Sequence, residues 1–171
     1  MGLNHQIQRP FGSSDRRAGD FVLEQKHRFA EAIREAIRSN GVEFVGEEAN
    51  HNHTEPSIVE SVCNEEGCRY ANIEMPPEER TRRRIPPGYN ENDEIAADEK
   101  AGWNREREDY IVKRVLSQAG HSASALIICG SQHSEPLAQQ LRSNGYTVEL
   151  DDLQKRSWYI EDWQHHIMHN L

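Results

Sequence analysis

One run, Ala125-Leu126-Ile127-Ile128-Cys129, limits the possible folds more than any other part of the chain. It is continuous and apolar, as a β-strand buried on both faces is, and a strand of that kind needs a covering layer on each side. The rest of the chain supplies strands and helices in alternation. Gly2 to Ile7 reads as a short strand. Asp20 then caps a helix that carries Val22, Phe29, Ile33 and Ile37 at helical spacing and stops at Asn40-Gly41. Val42, Phe44 and Val45 form a second strand running into Gly46-Glu47-Glu48, and Thr54 or Ser57 starts a short helix through Ile58, Val59 and Val62. Arg69 to Met75 is a third strand, closed by Pro76-Pro77. From Arg105 a helix places Ile111, Val112, Val115 and Leu116 on one face. After the 125–129 strand, Pro136 opens a helix through Leu137 and Leu141 to Asn144-Gly145, and Tyr146 to Leu150 reads as a fifth strand.

This order predicts an α/β fold: one compact, three-layer, Rossmann-like domain over residues 1–171, with a mostly parallel sheet of about five strands. Two stretches fall outside the pattern. Residues from about 78 to 100 carry Arg80, Arg82, Arg83 and Arg84, then Pro86-Pro87-Gly88, then an acidic run, and read as an irregular charged excursion. It is either a plain surface loop or a lid that brings arginine to a substrate. The tail from about 154 to 171 is aromatic and rich in histidine, and reads as a covering helix. Within it, His165, His166 and His169 read as a solvated face.

Composition excludes several classes of function. Twenty Lys and Arg against 29 Asp and Glu leave a net charge of −9, which repels phosphate backbones and argues against general nucleic-acid binding. No run approaches the about 20 apolar residues that cross a bilayer, and the N-terminal residues lack a secretory signal. Three cysteines do not make a disulfide framework, so a cytoplasmic location is expected. Cys63 and Cys68 read as helix-face thiols rather than half of a zinc site. With no G-x-G-x-x-G and no Walker loop, dinucleotide and P-loop readings are weak.

In an open parallel sheet, ligands bind outside the carboxyl ends of the strands. Those ends carry His5, Glu47 with Glu48, Glu74, His133, and Asp151 with Asp152. Gly2-Leu3-Asn4-His5 and Gly130-Ser131-Gln132-His133 are both G-x-x-H, and each closes a predicted strand. Arg107 and Glu108 lie one turn before Ile111 and Val112, above the inward stripe of their helix, where an arginine can reach into the crevice.

With these residues in view, the chain resembles the TraB/PrgY–Tiki–ChaN–erythromycin esterase superfamily. The likeness rests on Gly2-x-x-His5, Glu47-Glu48, Arg107-Glu108, the apolar strand into Gly130-Ser131-Gln132-His133, and Gly145-Tyr146-Thr147-Val148. It implies an α/β protein with a hydrolase site of paired histidines and glutamates, onto which His5, Glu47 or Glu48, and His133 carry over. Tiki-like members are similar to metal-dependent proteases, esterase members use a His/Glu base on a lactone, and ChaN-like members bind haem. The Arg80–Arg84 segment and the aromatic tail do not map onto the superfamily, so no substrate is inherited from it.

The leading expectation is a hydrolase for a small molecule or peptide, with His5, Glu47, Glu48, His133 and Arg107 as catalytic candidates. In one version His5, Glu48, Glu74 and His133 hold Zn, Mn, Fe or Ni, whose bound water attacks at neutral pH. In a metal-free version His5 is the general base, oriented by Glu47 or Glu48, with Arg107 stabilising developing negative charge. The alternative is a non-catalytic module that binds or senses a nucleotide or haem on the same fold. The architecture carries one geometric expectation: Glu47, Glu74 and His133 share a pocket with His5.

Overall fold

A computed structural model describes residues 2–3, 20–49, 55–86 and 96–159. Its elements are β1 (Gly2–Leu3), α1 (Asp20–Asn40), β2 (Phe44–Glu47), α2 (Ile58–Glu66), β3 (Arg69–Asn72), α3 (Pro77–Arg82), α4 (Ala97–Ala119), β4 (Ala125–Gly130) and α5 (Ser131–Ser143), followed by a single 3-10 turn at Leu153–Lys155. The strands form one parallel sheet in the order β1-β4-β2-β3, in which Phe44 lies between Arg69 on one side and Ala125 on the other, and Gly2 pairs with Cys129.

The expected three layers follow from how the chain crosses the sheet. From β1 to β2 and from β2 to β3 it moves one way; from β3 to β4 it moves back. Crossovers of one hand that reverse direction must use the opposite face. Accordingly α1 and α2 cover one face, where Phe29, Ile33, Val59 and Val62 pack on Val45 and Ile128. The other face is covered by α4 and α5, where Ile111, Val115, Leu137 and Leu141 pack on Phe44 and Cys129. Residues of β2 alternate between the two cores, as the period of a strand requires. Gly46 sits in a tight place: a Cβ there would lie 3.1 Å from both Ile127 Cδ1 and Ile73 Cγ2, so these side-chain ends would have to give by a few tenths of an ångström.

Local chemistry accounts for both ends of α2. Ser57 caps α2, its Oγ accepting from the Glu60 N–H at 3.0 Å. Gly67, at φ 72°, takes the left-handed conformation that ends the helix. The Cys68 N–H then turns back to the Cys63 carbonyl at 3.1 Å. Cys63 is thus a buried thiol of α2, whose ionisation burial opposes, while Cys68 lies beyond the helix rather than on its face.

Several expectations need correction. The described sheet has four strands, not five. Tyr146 to Leu150 runs outside it along α5, with Tyr146 and Leu150 46% and 45% exposed and the Val148 carbonyl taken by Arg142 at 3.1 Å. Only Val148 of that stretch finds an apolar partner, so alternation alone did not bury it. The described parts of 78–100 are largely helical instead of irregular. Pro77 occupies the first turn of α3, acidic Glu78 and Glu79 follow it, and basic Arg80 and Arg82 close it, matching the helix dipole at both ends. Ile85, 2% exposed, pins the end of this segment into the protein. Helix α4 starts at Ala97 rather than Arg105, with Asp98 and Glu99 favouring its first turn. Pro136 lies inside α5, which starts directly from β4, so it opens nothing.

The described start of the tail closes the α1–α2 face. Leu153 and Tyr159 are buried in that core, Trp158 packs against it, and Gln25 donates to the Trp158 carbonyl. The residues after Tyr159 lie outside the described ones. No helix among the described residues is long and apolar enough to cross a membrane.

The tight fit at Gly46 yields a direct test. Gly46→Ala is expected to lower unfolding free energy by about 1–3 kcal/mol, the usual range for overpacking a filled core. Urea denaturation measures it, and an unchanged midpoint would mean that Ile73 and Ile127 yield without strain.

Candidate functional site

Helix α2 leaves the end of β2 on one face, and α5 leaves the neighbouring β4 on the other. Between them lies the position where open α/β sheets form their crevice. Two acidic residues arrive there together, and strand alternation separates them. Glu47 turns toward α2, where its Oε2 accepts from Ser57 Oγ at 2.6 Å and from the Tyr70 hydroxyl at 2.7 Å. Burial and the Glu47 carboxylate both push the Tyr70 hydroxyl well above its ordinary ionisation range, so it remains a donor. This arrangement ties the capped start of α2 to the sheet. Glu48 turns the opposite way, toward α4 and α5.

Around Glu48 a buried network assembles. Its backbone N–H extends the ladder to the Ile128 carbonyl at 2.8 Å, and its Oε2 accepts from the Gly130 N–H at 2.8 Å. Arg107 of α4 supplies the cation: its Nη2 donates to Glu48 Oε1 at 2.6 Å and to Glu74 Oε2 at 2.8 Å. The other oxygen of Glu74 accepts from Arg80 at 2.7 Å and from the Met75 N–H at 2.7 Å. His133, in the first turn of α5, places Nδ1 2.9 Å from Glu108 Oε1. Its Nε2 lies 3.4 Å from Arg107 Nη1 and 3.4 Å from the Gln132 carboxamide nitrogen. Glu48, Glu74, Arg107, Glu108 and His133 are each less than a tenth exposed.

The neighbours assign the tautomer. A guanidinium and an amide NH₂ only donate, and the Glu48 Oε1 stands off at 3.8 Å, so Nε2 is assigned as the bare nitrogen and Nδ1–H as the donor to Glu108. Burial holds the imidazole's pKa below its ordinary value. The Glu108 hydrogen bond opposes that shift and the Arg107 charge adds to it. At Glu74 burial works against ionisation, but the charges of Arg107 and Arg80 outweigh it and hold the carboxyl down to about 2.

The sequence-derived candidates fall into three groups. Glu48, Glu74, Arg107 and His133 meet in one network. Glu47 does not, because it faces the other layer. Asp151 and Asp152 also lie apart, in an open cleft of about 400 Å³ beside Ser131 and Ser134, where they pair with Arg156 at 2.7 Å and Lys155 at 3.5 Å. His5 lies outside the described residues. Of the arginine cluster, Arg80 joins the network through Glu74, whereas Arg84 is exposed.

Two expected roles meet a constraint in this network. Arg107 is already engaged by two carboxylates. Its guanidinium also lies between Glu48 and Glu74, where a shared metal ion would have to sit. Among the described residues no group of three or more His, Cys, Asp or Glu is arranged to hold a metal ion. Glu48, Glu74 and His133 do not form such a group by themselves, and the fourth expected donor, His5, lies outside the described residues. Glu108 gains importance as the partner of His133. The sequence held a signal for it: Glu108 precedes Ile111 by three residues and Val112 by four, which extends the buried stripe of α4 by one turn.

No protein-family model, no curated protein and no solved structure matches this chain.

The network makes stability depend on pH in a definite direction. The unfolded chain takes up a proton on His133 below about 6.5 and on Glu74 below about 4.5, while the folded chain refuses both. Stability present at neutral pH is therefore lost in two stages on acidification, the second running down to about 2. Urea midpoints measured against pH should show both, with His133→Gln removing the upper stage only. Arg107→Met, which leaves two carboxylates buried without their shared cation, is expected to cost about 3–5 kcal/mol at neutral pH. A loss below about 1 kcal/mol would show that solvent reaches the carboxylates and replaces the ion pair.

Proposed function

We propose that the His133–Glu108 pair is the acid–base centre of a hydrolase acting on a small-molecule or peptide substrate. One observation carries this reading: Glu108 accepts a hydrogen bond from the Nδ1–H of an imidazole whose Nε2 carries the lone pair, on a base kept neutral by burial. A carboxylate behind the imidazole is the arrangement that general-base catalysis uses to orient the ring and to stabilise the cation formed in the reaction. In the proposed cycle, Nε2 removes a proton from water as the water oxygen bonds to the substrate's electrophilic carbon. The same proton then passes to the leaving group as its bond to that carbon breaks. Glu108 keeps its charge throughout. Arg107 holds Glu48 and Glu74 and, by facing Nε2 with a positive charge, keeps the resting imidazole neutral.

Membership in the TraB/PrgY–Tiki–ChaN–erythromycin esterase superfamily and a cytoplasmic location belong to the same proposal. The meeting of Glu48, Arg107-Glu108 and His133 supports the first. A metal-assisted version would draw on His5 with Glu48, Glu74 and His133, and would require Arg107 to leave both carboxylates. Burial favours a second reading: with all five groups so enclosed, the network can act as a fixed strut beneath a nucleotide- or haem-binding surface that performs no chemistry.

A panel of esters, lactones and peptides, run with metal analysis of the purified protein, separates these readings. Hydrolysis should fall by about 10²–10⁴-fold per folded molecule in His133→Asn, and Glu108→Gln should lose activity with little further loss in the double variant. Normal activity per folded molecule in both variants would sink the acid–base assignment. A stoichiometric metal that is lost in His5→Ala would replace it with the metal-assisted version. Nucleotide or haem binding without turnover would establish the second reading.

A further inference from the structure

The bare nitrogen of His133 is capped twice, and the two caps differ in how firmly they are held. Arg107 reaches Nε2 with Nη1 at 3.4 Å while its Nη2 is fixed by Glu48 at 2.6 Å and Glu74 at 2.8 Å. Gln132 reaches the same nitrogen at 3.4 Å from an exposed position in the first turn of α5, and its carboxamide makes no second hydrogen bond among the described residues. The single lone pair of Nε2 is shared by the two donors at 3.4 Å, so an incoming donor reaches it only where one of them withdraws. The cap that yields must be the one held by a single contact and already facing solvent.

We propose that the Gln132 carboxamide is a displaceable cap on His133 Nε2, and that the site admits in its place an O–H or N–H donor, namely water or a hydroxyl- or amine-bearing substrate group. The proposal rests on the acid–base reading of His133 and adds which residue controls access to it. It also carries a selectivity rule. Whatever displaces the cap must restore the donated hydrogen bond, because an apolar group there would leave the buried nitrogen unsatisfied. Gln132 is a positioning residue in this scheme: it holds Nε2 at rest and does not exchange protons.

Histidine carbethoxylation by diethyl pyrocarbonate tests this without a substrate, because the reagent attacks the bare nitrogen of neutral imidazole. The chain has nine histidines, so the reaction is followed on the peptide that contains His133. Gln132→Ala should speed labelling of His133 by about fivefold, the equilibrium factor for one ordinary neutral hydrogen bond. Gln132→Asn, one methylene too short to reach, should behave like the alanine variant. Gln132→Glu should move the pH profile of labelling upward, because a carboxylate beside Nε2 favours the protonated ring. A merely structural role for Gln132 would change melting temperature without changing these profiles. Equal labelling in wild type and Gln132→Ala, or no labelling of His133 in either, overturns the cap. Faster labelling combined with an empty hydrolase panel would leave the cap standing and remove the hydrolase reading.

Discussion

The polar network on the α4–α5 side of the sheet's carboxyl edge depends on one buried cation, the guanidinium of Arg107. It joins the last residue of the β2 ladder to the segment after β3, and it does so from a helix that belongs to neither strand. Removing three carboxylates and an arginine from water is unfavourable unless each remaining polar atom has a partner. Gly130, Met75 and Arg80 supply those partners to Glu48 and Glu74. The consequence is rigidity. Helices α4 and α5 cannot shift on the sheet without breaking charge-assisted bonds in a poorly solvated place, so His133 and Glu108 are held at fixed separation.

The two glutamates that end β2 show how a fold divides chemistry between adjacent residues. A strand turns successive side chains to opposite faces, so Glu47 serves the α1–α2 layer and Glu48 the α4–α5 layer. Glu47 is bound by two hydroxyls and helps to fasten a helix start. Glu48 is bound by a guanidinium and a backbone amide and helps to build a polar centre. Gly46 lies on the Glu48 face, close against Ile73 and Ile127.

The arrangement places a neutral imidazole under opposing influences. Burial and Arg107 favour the uncharged ring, while Glu108 favours the charged one. Burial is the largest of these influences, so the net effect keeps the ring neutral. The same balance gives Gln132 its leverage, because it is the exposed partner of the nitrogen on which the balance is read.

Local chemistry in the sequence by itself determined the periodic elements and many of their ends. The apolar run 125–129 lies in β4, Asn40-Gly41 ends α1, and Ser57 caps α2, each for reasons confined to a few residues. Short-range reading failed where longer-range packing competed with it. Tyr146 to Leu150 alternates like a strand but found no place in the sheet, whereas the helix after Pro77 was a local signal passed over, its acidic first turn and basic last turn matching the helix dipole. The candidate site was legible as a set of residue types at one sheet edge, including Glu48, Glu74, Arg107 and His133. Its wiring was not. Which glutamate faces which layer depends on the register and end of a strand, within a residue of the limit of any sequence reading. That Arg107 meets Glu48, 59 residues away, and that Glu108 meets His133, 25 residues away, depends on which face each crossover helix covers. Those contacts belong to the tertiary structure alone, because a side chain's partners across the sheet are set by the hand and direction of the crossovers and leave no mark in its own neighbourhood of the chain.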